Sequence, residues 1–168
     1  MKKDRLSLVE GRLEHADYLK DNLRIEDIRE CYIHGMTPEY ALTDPFDTFN
    51  AVTYTLKFDD EVIAMCGTVP VDSKTARVWM LGSSSIEDNF MGFLRGCKRV
   101  INLLQAQYES IENYVPVDHE HTIMWLQWCG FQVDTNMYEV SGHTMVRFVR
   151  CINSENNVYY LTKRPVTH

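Results

Sequence analysis

A chain of 168 residues with 45% hydrophobic and 24% charged residues has the size and balance of one packed domain, burying roughly two thirds of its unfolded surface without a metal or disulfide staple. A formal net charge of −7 repels phosphate backbones unless charge is locally segregated, so protein surfaces or amines are the expected partners and nucleic acid is not. No apolar run approaches the ~18 residues of a membrane span, and the basic start Met1-Lys2-Lys3 is followed by no apolar block of a signal peptide.

Leu6–Glu10 reads as a first strand. From Glu14 onward Leu19, Leu23, Ile28, Cys31 and Tyr32 recur at helical spacing, and Gly35 closes that helix. A second helix begins at Pro38 and covers Glu39, Tyr40, Ala41 and Leu42, with Asp44-Pro45 breaking the pattern. The period then changes. Val52, Tyr54, Leu56 and Phe58 alternate with Thr53, Thr55 and Lys57, Asp59-Asp60 makes a turn, and 61–69 and 77–81 follow as further strands around a polar hairpin. Connections this short make the three strands an antiparallel meander.

Phe90, Phe93, Cys97, Val100, Leu104 and Tyr108 step by three and four, the clearest helix of the chain, with Asp88 or Asn89 available as its cap. The strand 109–117 returns after that crossover and so lies parallel to the third meander strand. A compact helix over 120–129 stops at Gly130, and strands over 131–140 and 144–151 close a hairpin at Ser141-Gly142, with a further edge strand over 158–162. The five cysteines, Cys31, Cys66, Cys97, Cys129 and Cys151, are scattered, odd in number and mostly in apolar surroundings, a pattern of reduced core thiols.

Particular residues now carry a resemblance. Val78-Trp79-Met80-Leu81, Phe93-Leu94-Arg95, Tyr108, Glu112-Asn113-Tyr114-Val115 and the run from Ile123 to Phe131 resemble a GNAT-like phage family that includes the internal virion protein of T7-like phages needed for core assembly. The similarity is best over 76–133. It implies one domain over 1–168 with the α/β GNAT (acyl-CoA N-acyltransferase) fold: a mixed central sheet with an antiparallel meander, a splayed parallel strand pair and flanking helices. It also implies an acetyl-CoA site in the V-shaped gap between the strands of Met80 and Tyr114. Backbone near Met80, Leu81 and Gly82 would receive the pantetheine arm, and the helix start at Asn89 and Phe90 the diphosphate.

The chain departs from the pattern of the active enzymes. Ser83-Ser84-Ser85-Ile86-Glu87-Asp88-Asn89-Phe90 stands where a glycine-rich diphosphate loop is usual, and two carboxylates there oppose a diphosphate by roughly a few kcal/mol when partly desolvated. His119 takes the place of a customary asparagine, and Leu126 that of a tyrosine that protonates the leaving thiolate.

Site candidates have plain structural readings beside the chemical ones. His119, in Asp118-His119-Glu120-His121, suits proton relay, helix capping or metal ligation, with capping the expectation and no metal assigned. Tyr114 contacts an acyl chain or belongs to the core. Glu61 and Asp72 are bases or turn residues, Ser83-Ser84-Ser85 a polar loop, Cys66 and Cys97 structural. Trp125 and Trp128, with Met124, form deep core or a docking face. Either Trp79 or Phe90 is available to fill the gap. Two functions remain open: virion morphogenesis through protein contacts with virion or host proteins, in the host cytoplasm or packaged in the virion, and CoA-dependent N-acetylation of an amine on a host or phage protein.

Overall fold

Strand β1 (Leu6–Glu10) is followed by helices α1 (Leu13–Leu19), α2 (Ile25–Ile33) and α3 (Pro38–Asp47). The meander is β2 (Val52–Phe58), β3 (Glu61–Pro70) and β4 (Thr75–Gly82). A short α4 (Ser85–Asp88) leads into α5 (Phe90–Gln105), then β5 (Ser110–Pro116), α6 (Glu120–Trp128), β6 (Gln132–Val140) and β7 (His143–Cys151). The computed structural model describes residues 5–152, so the strand expected over 158–162 lies outside the described residues.

The strands form one seven-stranded sheet in the order β1-β2-β3-β4-β5-β7-β6. Every neighbouring pair is antiparallel except β4–β5, which is parallel and pairs only Thr75–Arg77 with Ser110–Glu112. Beyond that point the two strands part. This is the mixed sheet with meander, splayed parallel pair and flanking helices that the resemblance implies.

Alternation along the strands gives the sheet two apolar faces. Ala76 and Val78 of β4, Ile111 and Val115 of β5, and Val146 and Phe148 of β7 pack with Phe93, Cys97, Val100, Ile101 and Leu104 of α5 and Leu126 of α6. Leu81 and Met65 face the other way, against Ala16, Leu19, Cys31 and Leu42 of the first three helices. Four cysteines are buried and all five are free thiols. The closing hairpin turns through Ser141 (φ 50°) and Gly142 (φ 79°), the left-handed pair that a two-residue hairpin needs.

Three local expectations are corrected. The helix read as continuous from Glu14 to Tyr32 is two helices, because Leu23 bridges to Ser83 and the Arg24 amide donates to the Gly82 carbonyl (2.9 Å). These non-local bonds outweigh helical periodicity. Pro45 does not end α3: it is buried inside the helix, and the Thr48 hydroxyl and amide satisfy the Asp44 and Pro45 carbonyls of the last turn. Tyr108 lies beyond the C-terminus of α5, which ends at Gln105.

Candidate active site

Within a strand, the N–H and C=O of one residue point to one edge and those of the next to the other. In β4 the even-numbered residues face β5: the Lys74 carbonyl accepts from the Ser110 amide at 3.1 Å, and the Val78 carbonyl accepts from the Asn113 side chain at 2.8 Å. Met80 and Gly82 therefore line the gap. Leu81 does not. It pairs with Met65 of β3 and is 7% exposed in the core under the first helices, which removes it from the set of backbone groups open to a ligand.

The chain's own side chains engage much of the gap's edge. Asn113 spans the point of parting, its Nδ2 donating to the Val78 carbonyl and its Oδ1 accepting from the Tyr114 amide (both 2.8 Å). His34 lies near the Tyr114 backbone, which favours its protonated ring, but burial first and then the nearby Arg77 hold the His34 pKa below the usual value. At the far end of β4, Asp27 Oδ2 accepts from the Gly82 amide at 2.7 Å and the Arg24 amide donates to the Gly82 carbonyl at 2.9 Å. A Cβ at Gly82 would stand 2.2 Å from Ile86 Cδ1, so a side chain there requires Ile86 to shift.

Helix α2 thus lies along the parting strands, reaching β4 through Asp27 and carrying His34 at its C-cap near the Tyr114 backbone. One turn beyond Asp27, Glu30 Oε1 meets His119 Nδ1 at 3.3 Å. Burial, then the neighbouring Asp27, push the Glu30 carboxyl up to about 7, against the lowering effect of His119. The Asp27 pKa is also raised, by burial first, with Arg24 and the Gly82 amide opposing. The expected cap at His119 is corrected here. It occupies the N-cap position of α6 but makes no side-chain cap bond, because its ring is turned to Glu30. Among the described residues, no group of three or more His, Cys, Asp and Glu side chains could hold a metal ion.

Tyr114 is half-buried, edge-on to Tyr138 with ring centroids 5.3 Å apart, and on the same face as the Arg147–Glu112 ion pair. Neither Trp79 nor Phe90 fills the gap: Trp79 packs on the cluster under α1–α3 and Phe90 is exposed. Asn89 stands at the start of α5 without capping it, since its Nδ2 reaches back to the Ser85 carbonyl at 2.9 Å. Glu87 and Asp88 are exposed just before that helix start, where carboxylates complement its dipole and disfavour a diphosphate.

The plain readings hold elsewhere. Asp72 accepts from the Lys74 and Thr75 amides (both 2.8 Å) as a turn residue, and exposed Glu61 accepts from Ser85. Helix α6 divides its aromatic residues: Trp125 stacks on Phe93 at 5.8 Å, while Met124 and Trp128 are exposed, Trp128 beneath the Lys98 ammonium (4.3 Å). The sequence reading passed over Asp27, Glu30 and His34. Their three- and four-residue spacing, around buried Cys31, places them along one side of the helix, away from exposed Ile25, Arg29 and Tyr32.

No protein-family model matches the chain, and no curated protein does. The architecture nevertheless defines a class, the GNAT acetyltransferase fold. Solved structures share it: RimL, a ribosomal alpha-N-protein acetyltransferase in complex with coenzyme A (TM-score 0.66, 10% identity, 89% of this chain and 95% of that one), and Ard1 from Thermoplasma volcanium (0.66, 12%, 88% and 97%). AAC(6')-Ib in complex with ribostamycin and coenzyme A is similar to the same degree (0.65, 13%, 87% and 93%). At these identities the likeness is one of fold.

Proposed function

We propose that this protein is a coenzyme A-dependent N-acyltransferase, with acetyl-CoA as the donor and an amine on a host or phage protein as the acceptor. The observation that carries this reading is the Glu30–His119 pair beside the parted strands. A carboxyl whose pKa is about 7 is partly ionised at neutral pH and suited to take a proton from an attacking ammonium group. His119 orients that carboxylate, and Met80 supplies backbone on the gap edge. Bound acetyl-CoA would supply the activated thioester. The fold supports the same reading, since RimL and AAC(6')-Ib are both in complex with coenzyme A.

The fit to such a donor is uneven. Met80 is compatible with it, whereas the Gly82 amide and carbonyl are engaged by Asp27 and Arg24, and Glu87 and Asp88 just before the start of α5 oppose a diphosphate. That occupied edge favours a second reading, a virion-assembly protein that keeps the fold without the cofactor and acts through protein contacts, with exposed Met124 and Trp128 as one docking surface.

Calorimetry with acetyl-CoA, followed by an acetyl-transfer assay on peptide amines, separates the two. Under the enzymatic reading, transfer rises with pH around an apparent pKa near 7 and Glu30→Gln lowers kcat by about 10²-fold or more. Absence of both binding and transfer sinks that reading and leaves the assembly role.

A further inference from the structure

Gly82 presents one donor and one acceptor to the gap, and the start of α2 answers both: the Asp27 carboxylate takes the N–H and the Arg24 amide supplies the carbonyl. This is the same donor–acceptor pair that an extended amide-bearing chain would offer on pairing with the strand edge. The two partners therefore compete for a single pair of backbone groups. The contact is well made. Asp27 is 4% exposed, its two oxygens are held by the Arg24 guanidinium at 3.0 and 3.1 Å, and Leu23 adds a bridge to Ser83. The geometry points to an autoinhibitory latch: the N-terminal turn of α2 closes the Gly82 edge of the gap and must lift before an amide-bearing donor can pair there. The inference rests on the cofactor reading above.

The helix is bounded in a way that suits such a motion. Residues 20–24 separate its first turn from α1 without helical structure, while Cys31 and Ile33 hold its last turn in the core. Because Asp27 and Arg24 are paired within the same helical turn, that first turn lifts with its ion pair intact and leaves Glu30 on His119, while the incoming amide chain satisfies Gly82. No buried charge is stranded. While the latch is shut, the apparent affinity for the donor falls by the fraction of molecules that are open.

Two variants open it by different routes. Asp27→Ala removes the acceptor. Arg24→Pro removes the amide donor and the guanidinium together, and Arg24 already has φ −62° and ψ 148°, a conformation that proline adopts without strain. The full chain is measured by amide hydrogen exchange at Gly82 without ligand and by calorimetry with coenzyme A. The expected result is a slowly exchanging Gly82 amide in the native protein, fast exchange in Asp27→Ala, and coenzyme A affinity higher by about tenfold or more in both variants. Equal affinity in native and variant proteins overturns the latch while the cofactor reading stands. No binding by any of the three overturns the cofactor reading and the latch with it. Should Asp27→Ala fail to fold, Arg24→Pro decides the affinity arm, and Asp27→Asn, which keeps an acceptor, must leave Gly82 protected.

Discussion

Glu30 and His119 are 89 residues apart in the chain, yet Glu30 Oε1 and His119 Nδ1 approach to 3.3 Å. The contact joins α2 to the loop that follows β5. It places a half-buried carboxyl next to the gap under two opposing influences: burial and Asp27 favour its protonated form, while His119 favours the ionised one.

Burial wins, and this fixes a pH dependence of stability. Because the folded protein holds the Glu30 proton more tightly than the unfolded chain, the stabilisation is complete below the unfolded value of 4.5 and is lost as pH rises through about 7. Glu30→Gln should therefore match the native protein near pH 4 and exceed it at pH 8 by roughly 1–3 kcal/mol. Urea melts across that range check it. A native protein more stable than the variant at pH 8 would mean that the contact with His119 outweighs desolvation.

Asn113 takes the place of a ladder bond where the sheet opens. Asn113→Ala leaves the Val78 carbonyl and the Tyr114 amide unpaired at a partly buried position, at an expected loss of about 1–3 kcal/mol. The midpoint of chemical denaturation reports it directly. Asn113→Asp, which keeps the acceptor but not the donor, should recover only part of the loss at neutral pH.

At Gly67 the constraint is steric. A Cβ there would lie 2.0 Å from the Val52 carbonyl oxygen, which belongs to the β2–β3 ladder and has no rotamer to escape through. Gly67→Ala should cost about 1–3 kcal/mol or more, read as a fall in Tm. A neutral outcome would show that the edge of β2 can peel away freely.

Thiol chemistry offers a fourth test. Cys31, Cys66, Cys97 and Cys129 are buried and Cys151 is half-buried. Burial pushes the Cys31 thiol up to about 11 and that of Cys66 to about 12, which suppresses the reactive thiolate. A thiol reagent should label Cys151 first, with the other four reacting only on unfolding. Rapid labelling of Cys97 in the native state would expose an opening between α5 and α6.

The order of the strands and of the crossover helices α5 and α6 was legible in the sequence because hydrophobic period and turn chemistry are local. The meander, the α5 stripe and the Ser141-Gly142 hairpin needed nothing else. What escaped was non-local. Nothing between Lys20 and Arg24 forbids a helix; the break exists because Leu23 and Arg24 pair with Ser83 and Gly82 across the fold. The four residues of α4 are too few to show a period, and that turn is what draws Asn89 back to Ser85. The residues meeting at the gap were half visible. His119 and Tyr114 stand out by type and place, whereas nothing local singles out Asp27 and Glu30, whose partners Gly82 and His119 are encoded tens of residues away.

The short meeting of β4 and β5 divides the sheet into two rafts, β1–β4 and β5–β7–β6, moored by three residue pairs and one asparagine. Helix α5 is the beam across them. Its Gly96 lies against Leu6 of the first raft, while its Gln105 exchanges hydrogen bonds with Arg150 of the second, donating to the backbone carbonyl at 2.9 Å and accepting from the guanidinium at 3.0 Å. The splay is thereby governed from a distance. A bulkier residue at 96 or a shorter one at 105 would tilt the rafts and widen or pinch the crevice without altering any residue that lines it.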